Sequence, residues 1–91
     1  MILKRTEFIT RANIDEQTLE TWLSEQWLMP ETQAEAEAFT EADLARAQLI
    51  QELRGQLGVN EAGIDVALHL LDQIHGLRRA VAGIAARKTR L

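Results

Sequence analysis

The stretch from Leu57 to Leu77 restricts the possible folds most, because it joins the end of one helix to the start of a long one. Gly58 is a residue type that tolerates the left-handed conformation after a helix, and Asn60 can then cap the next helix through its side-chain oxygen. The apolar residues of that next helix fall on two separate faces. The first face, which can turn back onto the rest of the domain, contains Ile64, Leu68 and Leu71. Such a helix needs an apolar partner on each side.

The second apolar face repeats at spacings of three and four residues, which is the heptad pattern of a helix-helix seam. It contains Ala67, Leu70, Ile74, Leu77, Val81 and Ile84. A helix over residues 61–88 would be about 42 Å long at about 1.5 Å per residue, which is longer than a compact domain of this size needs. We therefore expect residues 1–60 to form the core of the domain, and residues 61–91 to be a projecting dimerisation helix of the same single domain. The predicted homodimer interface is Leu70, Ile74, Leu77, Val81 and Ile84.

Composition favours one small domain without catalytic activity. The 91 residues contain no cysteine, so neither a disulfide framework nor a thiolate zinc site is available. No segment resembles a signal peptide or reaches the roughly 18 apolar residues of a membrane helix, so we expect a cytoplasmic protein. The sequence also lacks a glycine-rich phosphate loop, a His-Glu-x-x-His motif and a serine flanked by a base and an acid. We predict that the protein is not an enzyme and has no cofactor.

Charge is distributed unevenly along the chain, although the net charge is only −4. Between Ala12 and Ala45 there is no lysine or arginine. The acids in this interval are Asp15, Glu16, Glu20, Glu25, Glu31, Glu35, Glu37, Glu41 and Asp43. This half of the molecule should carry a negative field, which disfavours approach to a phosphate backbone. The C-terminal bases can complement the helix dipole or make a weak nucleic-acid contact, and they are Arg78, Arg79, Arg87, Lys88 and Arg90.

Three helix starts share one local pattern, in which a polar cap lies between apolar residues that can close a hydrophobic staple. These caps, which predict helices beginning near residues 16, 41 and 61, are Asp15, Thr40 and Asn60. A short helix from Thr6 to Ala12 precedes the first of them, and Asn13 can take the positive φ of a tight turn. The second helix covers about residues 16–26 and ends against Trp27. Its inward residues are Leu19, Trp22 and Leu23. Together these two helices predict a helix-turn-helix.

The segment between Met29-Pro30 and Phe39 is ambiguous. Its alternation of Glu with Ala is compatible with a short wing hairpin, yet both residue types favour helices and are depleted in strands. We predict an irregular wing over residues 31–39 and an all-α fold class. The third helix, about residues 41–57, should bury apolar residues at helical spacing. They are Leu44, Ala47, Ile50, Leu53 and Leu57.

These elements together resemble the MerR-like winged helix-turn-helix superfamily, including its long C-terminal helix. The matching features are the short helix-turn-helix, the wing, a helix opening with Phe-Thr-Glu-Ala-Asp-Leu, and a Leu-Gly-Val-Asn-x-x-Gly-Ile turn. Within that superfamily, the Thr6-Glu7-Phe8 segment, residues 63–68 and residues 71–77 resemble the chaperone-modulator (CbpM-like) branch. This resemblance implies a protein that binds the J-domain of a DnaJ/CbpA-like co-chaperone and inhibits it by steric occlusion. The turn is also similar to that of MerR-like heat-shock repressors, so a DNA-binding transcriptional regulator is the alternative.

The second helix is the one that would contact the DNA bases. Its sequence favours the chaperone-modulator hypothesis over the DNA-binding regulator. A recognition helix needs Arg or Lys for phosphate and guanine contacts, whereas here we expect acids to face the groove with no cation beside them. An acidic surface suits a basic protein partner. The predicted partner-binding residues are Glu16, Glu20, Glu25, Trp27, Asp65 and Asp72. Trp22 and Trp27 are most simply core and core-edge residues that hold the second helix, and Trp27 is the candidate apolar anchor of the partner surface. Asp65 and Asp72 match acidic positions of the family that the chain resembles.

Simpler interpretations exist for the same residues. The glutamates can form a solvated face with no partner. Asp65, His69 and Asp72 share one helical stripe, where local pairing between histidine and carboxylate is favoured over a metal site, so we predict no metal. The third functional hypothesis is a plain dimerisation module, whose partner is a second copy of itself.

Overall fold

The computed structural model describes residues 2–89, with side chains over residues 2–87. Of the predicted C-terminal bases, Arg90 and the side chain of Lys88 lie outside this description. The chain divides into two compact units, one ending at Val59 and the other beginning at Asn60. The elements are β1 (Ile2–Leu3), α1 (Arg5–Ala12), α2 (Glu16–Ser24), β2 (Glu31–Gln33), β3 (Ala36–Thr40), α3 (Glu41–Gln51), a π-helical segment (Glu52–Gln56) and α4 (Glu61–Thr89).

The first two helices form the predicted helix-turn-helix. Asn13, which follows α1, has a φ of 57°, so the predicted left-handed turn is confirmed. The N–H of Ile14 donates to the carbonyl of Ile9 at 3.2 Å, which satisfies an acceptor that the helix end would otherwise leave open. α2 then begins at the predicted cap, because the Asp15 side chain accepts a hydrogen bond from the N–H of Thr18 at 2.7 Å.

α2 ends at Ser24, slightly before the predicted boundary near residue 26. Gln26 has a φ of 61°, and the N–H of Trp27 donates to the carbonyl of Trp22 at 2.9 Å. This is the same type of helix end as at Asn13, but here a glutamine takes the left-handed position that glycine or asparagine usually fills. The residue type therefore gave no signal for where the helix ends.

A small antiparallel sheet shows that the all-α prediction was wrong. β3 lies between β1 and β2, with Leu3 opposite Phe39 and Thr32 opposite Glu37. The sheet pairs the backbone groups of these short segments, and its central strand contributes the fully buried side chain of Phe39. Burial and pairing outweigh the weak strand propensity of Glu and Ala, because β-propensity depends mainly on packing context.

The wing is an ordered hairpin of β2 and β3 rather than the irregular segment that we predicted. Its turn consists of Ala34 and Glu35, with φ values of 50° and 63°. Two successive positive φ angles define the tight turn whose twist matches that of a two-stranded hairpin. Asn-Gly or Asp-Gly is the usual sequence signal for this turn, so its absence from residues 34–35 concealed the hairpin.

α3 begins with a reciprocal cap at the predicted position. The N–H of Thr40 donates to Asp43 Oδ2 at 2.8 Å, and the N–H of Asp43 donates to Thr40 Oγ1 at 3.3 Å. After Gln51 the helix widens, and the N–H of Leu57 donates to the carbonyl of Glu52 at 3.1 Å. Because a π-helical turn contains more residues than an α-helical turn, it rotates the side chains that follow it around the helix axis. Leu57 is 70% exposed as a result, which corrects its predicted burial.

Two stacked phenylalanines lie in the core of the first unit. The ring centroids of Phe8 and Phe39 are 4.3 Å apart, with an angle of 17° between the ring planes. Trp22 is also buried, and its Nε1 has no hydrogen-bond partner among the described residues. Of the residues that the third helix was predicted to bury, Ala47 and Ile50 are buried, and Leu44 and Leu53 are half-buried.

The second unit contains α4, which begins at the predicted cap. Asn60 Oδ1 accepts a hydrogen bond from the N–H of Gly63 at 2.8 Å. On the first predicted face, Ile64 and Leu68 are buried, and Leu71 is half-buried. The second face is exposed at Leu70, Ile74, Leu77, Val81 and Ile84. Among the helices that the structure describes, none is both long and apolar enough to cross a membrane.

Candidate functional site

The outer face of α2 carries two carboxylates on the same side of the helix, since they are four residues apart. The side chains of Glu16 and Glu20 are 60% and 64% exposed. Arg5, the first residue of α1, contacts both: its Nε lies 2.6 Å from Glu16 Oε1, and its Nη2 donates to Glu20 Oε1. A third carboxylate, Glu37 of β3, accepts a hydrogen bond from Arg5 Nη1 at 2.5 Å. We call these four residues the Arg5 cluster.

The Arg5 cluster corrects the expectation that no cation lies beside the acids of α2. Arg5 precedes the interval without bases, which begins at Ala12, and the fold brings the start of α1 alongside α2 and β3. Arg5 and Glu37 are 32 residues apart, and no spacing rule pairs residues at that distance in sequence. The sequence indicated Glu37 as one acid of the negative interval, but it did not indicate Arg5 or the contact that joins Glu37 to the acids of α2.

The electrostatics of the Arg5 cluster remain those of an anionic surface. One guanidinium offsets the charge of only one of the three carboxylates around it. The hydrogen bond to Glu37, followed by that to Glu16, raises the pKa of Arg5 above its usual value despite the opposing effect of burial. Arg5 is therefore a permanent cation, and the surface around it carries an excess of negative charge.

The geometry of the Arg5 cluster leaves acceptor positions open. Each guanidinium nitrogen of Arg5 donates to a different carboxylate, through the Oε1 atom of that carboxylate. The second oxygen of each carboxylate accepts no hydrogen bond from any residue that the structure describes. Because a carboxylate can accept several hydrogen bonds, these second oxygens can still receive a donor from outside the chain.

Glu25 is exposed but lies outside the Arg5 cluster. It is the C-cap residue of α2, nine residues after Glu16, and nine residues correspond to about two and a half helical turns. Its carboxylate thus projects from the opposite side of the helix axis. The structure brings Glu16 and Glu20 together with Glu37, and it does not bring Glu25 to the same place.

Trp27 is buried, with only 3% of its surface exposed, so the expectation of an exposed apolar anchor is corrected. The left-handed turn at Gln26 redirects the chain immediately before this residue. The backbone carbonyl of Trp27 also accepts a hydrogen bond from Arg46 Nε at 2.5 Å, which links the end of α2 to α3. Trp27 therefore stabilises the first unit and offers no side-chain surface to a partner.

The predicted acidic positions of the long helix lie on α4, in the second unit. His69 Nδ1 donates to the backbone carbonyl of Asp65 at 2.8 Å and lies 3.6 Å from Asp65 Oδ2, so the hydrogen bond of the ring goes to the backbone and the carboxylate lies close to it. Asp72 is exposed. Over residues 2–87, no group of three or more histidine, aspartate or glutamate side chains is arranged to hold a metal ion.

The exposed apolar face of α4 contains a shallow depression lined by Ile74, Leu77 and Val81, with Arg78 and Ala82. The three aliphatic residues belong to the heptad pattern of the sequence. Solvent exposure of such a row is unfavourable, because each large apolar side chain that remains in contact with water loses the benefit of burial. This face is therefore a second candidate surface for a protein partner.

The fold of the first unit, with two short helices, a tight turn and a hairpin wing, defines a winged helix-turn-helix protein. Its sequence matches the family model described as "MerR HTH family regulatory protein" over residues 3–85. The match covers most of the chain, so the protein belongs to this family. No curated protein matches the chain.

Proposed function

We propose that the protein is a chaperone modulator, which binds the J-domain of a DnaJ/CbpA-like co-chaperone and inhibits it by steric occlusion. The observation that carries this proposal is the anionic Arg5 cluster on the outer face of α2. In a DNA-binding member of this fold class, the second helix of the helix-turn-helix enters the major groove. A surface of carboxylates in that position favours a cationic polypeptide over a nucleic acid.

The composition and contacts of α2 argue against DNA recognition through this helix. The helix, Glu16–Ser24, contains no lysine or arginine. Arg5 is the cation beside it, and its three guanidinium nitrogens already donate to carboxylates of the same chain. Phosphate oxygens would approach fixed negative charges, and guanine would find no bidentate donor on this helix.

The proposed partner-binding residues are acids, and each unit contributes its own. In the first unit they are Glu16 and Glu20, joined by Glu37, and separately Glu25 at the end of α2. In the second unit they are Asp65 and Asp72, whose involvement is implied by the resemblance to the chaperone-modulator branch. The same resemblance implies that the partner J-domain carries a basic helix. Complementary charge would then steer the two proteins together and set their relative orientation. Trp27 is left out because it is buried.

The proposal includes a cytoplasmic homodimer that forms through α4. The exposed row from Leu70 to Ile84 has the spacing of a helix-helix seam, and pairing with a second copy would remove it from water. This contact uses aliphatic residues, whereas the proposed co-chaperone contact uses acids.

The decisive experiment is calorimetric titration of the protein with the J-domain of a co-chaperone from the same organism. We expect a Kd in the micromolar range or tighter, and loss of J-domain-stimulated ATPase activity of the DnaK-type chaperone in proportion to occupancy. Glu20→Lys should weaken binding about tenfold or more, because it places a cation in the anionic surface. Glu52→Lys makes the same charge change at another exposed site and should leave the Kd nearly unchanged.

Two outcomes would overturn the proposal. Absence of J-domain binding at micromolar concentration would favour the plain dimerisation module. Specific nanomolar binding of operator-length DNA at physiological salt would favour a transcriptional regulator, because specific protein-DNA complexes typically have affinities of about 10 nM or better.

A further inference from the structure

A cavity of about 330 Å³ lies in the first unit, where the helix-turn-helix meets the end of α3. From the helix-turn-helix it is lined by Asn13, Ile14, Thr18 and Trp22, and from α3 and the π-helical segment by Gln51, Arg54 and Gly55. Within α2, Thr18 and Trp22 each follow an acid of the Arg5 cluster by two residues, which is a rotation of about 200° around the helix axis. The cavity therefore lies on a different side of α2 from the Arg5 cluster. Its volume is within the range of about 300–1,000 Å³ that is typical of small-molecule sites.

Hydrogen bonds fix the segments that surround this cavity. Gln51 Nε2 donates to the backbone carbonyl of Ala12 at 3.1 Å, which ties α3 to the turn between α1 and α2. Asn13 holds that turn in the left-handed conformation, with a φ of 57°. The cavity is thus formed by the fold itself, as small-molecule sites usually are before a ligand binds.

Two polar groups of the lining residues have no partner within the chain. The side chain of Arg54 is exposed and makes no ion pair or hydrogen bond with any residue that the structure describes. Trp22 Nε1 is buried, and it too has no hydrogen-bond partner over residues 2–87. A buried donor without an acceptor costs free energy, and a bound acceptor within its reach would remove that cost.

The chemistry of the lining suits an anion with an apolar body. Of the described residues that line the cavity, Arg54 alone is charged. Ile14 and Trp22 contribute apolar surface, which gains from being covered by an apolar group. Asp15 follows Ile14 in the chain but is not part of the lining, and its carboxylate already accepts hydrogen bonds from Thr18.

We propose that this cavity binds a small carboxylate with an apolar body. The guanidinium of Arg54 pairs with the carboxylate, and the apolar body packs against Ile14 and Trp22. π-helical turns are frequent at functional sites, and here the π-helical segment supplies both Arg54 and Gly55. The site is separate from the acids proposed to bind the J-domain, so this inference does not depend on the proposed function.

The experiment titrates the isotope-labelled protein with phenylacetate and follows the indole N–H signals of both tryptophans by NMR. Trp27 does not line the cavity, so its signal is the internal control. Phenylacetate has about ten non-hydrogen atoms, and the binding free energy usual for such a ligand corresponds to a Kd of about 1 mM. We expect the Trp22 signal to shift with this Kd and the Trp27 signal to shift much less. Phenylacetamide, which has the same shape without the charge, should bind about fivefold more weakly.

Arg54→Gln tests the charged contact. It should weaken phenylacetate binding about fivefold and leave phenylacetamide binding unchanged, because only the acid pairs with the guanidinium. The matched control is Lys4→Gln, which removes one positive charge from another exposed residue of the same unit and should bind both compounds as the wild type does.

Gly55→Leu tests the location. A Cβ atom at Gly55 would meet no atom within 4 Å, so the fold accepts a side chain there, and that side chain takes up space at the cavity wall. Gln56→Leu places the same side chain on the next residue, which is exposed and outside the lining. We expect phenylacetate binding to be lost in Gly55→Leu and kept in Gln56→Leu.

A Trp22 signal that does not respond to millimolar phenylacetate would overturn the inference. Equal affinities of the wild type for phenylacetate and phenylacetamide would do the same, as would unchanged phenylacetate binding by either Arg54→Gln or Gly55→Leu. These results are independent of the J-domain titration, so failure of the proposed function would leave this inference standing.

Discussion

At the scale of single residues, the helix caps illustrate how local chemistry determines where the helices begin. Asp15 lies outside the first turn of α2, and its side chain accepts the N–H of Thr18 at 2.7 Å. The hydrogen bonds from the side chain and backbone of Thr18 lower the pKa of Asp15 below its usual value of 3.8. The ionised carboxylate is the form that stabilises the helix start.

This pKa shift predicts how stability depends on pH. Because the pKa of Asp15 is lower in the folded state, its stabilisation is present in full above pH 3.8 and is lost as pH falls through the lowered pKa. Asp15→Ala should therefore lower the Tm at neutral pH, with a difference from the wild type that shrinks in acid. Thermal unfolding followed by circular dichroism over a pH series measures this.

Asp15→Asn is the matched control for the cap. It retains an oxygen that can accept the N–H of Thr18 but cannot titrate, so its Tm should exceed that of Asp15→Ala at neutral pH. A difference between Asp15→Ala and the wild type that stays constant from neutral pH into strong acid would contradict the argument.

At the scale of elements, the wing hairpin depends on a turn whose sequence is unfavourable. Ala34 and Glu35 both have positive φ, which costs a non-glycine residue roughly 1–2 kcal/mol in the left-handed region. The pairing of β2 with β3 closes this turn, and the burial of Phe39 fixes β3 against the core. The turn is therefore a site where a change of residue can stabilise the first unit.

Replacing the turn with the preferred dipeptide, as Ala34→Asn combined with Glu35→Gly, should raise the free energy of unfolding by about 0.5–1 kcal/mol. The expected gain is the free-energy cost of a positive φ at the two non-glycine residues. It is reduced by the larger conformational entropy that glycine loses on folding. Chemical denaturation gives the value directly. Ala45→Gly, at an exposed position of α3, should have the opposite effect, lowering stability by about 0.8–1 kcal/mol. If the double variant lost as much free energy of unfolding as Ala45→Gly, the assignment of residues 34–35 to this turn would be contradicted.

The exposed apolar face of α4 gives a second prediction at this scale. Leu77 is 66% exposed and lies in the heptad row that we propose as the dimer seam. Leu77→Glu would bury a carboxylate in that seam, so light scattering should report half the molar mass of the wild type at the same concentration. Ala86→Glu is the control, because nine residues place Ala86 about half a turn away from Leu77. An unchanged mass for Leu77→Glu would mean that any dimer forms elsewhere.

At the scale of the whole molecule, the uneven distribution of charge matters more than the net value of −4. The acids between Ala12 and Ala45 lie on or next to α2, on the hairpin and at the start of α3, and Arg5 contacts three of them, Glu16, Glu20 and Glu37. Such a surface attracts basic partners over several ångströms, and salt screens that attraction.

Association with the proposed J-domain partner should therefore depend on ionic strength. Between about 0.05 and 0.5 M salt we expect the association rate constant to fall by about tenfold or more, with a much smaller change in the dissociation rate constant. Stopped-flow mixing or surface plasmon resonance separates the two constants. If the association rate constant were insensitive to salt, the interface with the J-domain would have to be apolar. The acidic surface would then have no part in binding.

Features that depend on neighbouring residues were predictable from the sequence. The caps at Asp15, Thr40 and Asn60, the left-handed Asn13 and the apolar spacing of α4 all follow from interactions within a few positions along the chain. The charge pattern likewise indicated an acidic surface around α2. The π-helical turn before Leu57 and the hairpin turn at residues 34–35 carry no distinctive local signal, so their effects on exposure and fold class were missed.

What the sequence by itself determined is where most helices begin, which faces are apolar, and that the surface of the helix-turn-helix is acidic. The tertiary structure decided that residues 31–33 and 36–40 pair as strands, that Trp27 is buried, and that Arg5 lies among Glu16, Glu20 and Glu37. The physical reason is the range of the interactions. Capping and periodicity act within one or two helical turns, whereas strand pairing, burial and the Arg5 contacts join residues that are distant in sequence and become neighbours only when the chain has folded.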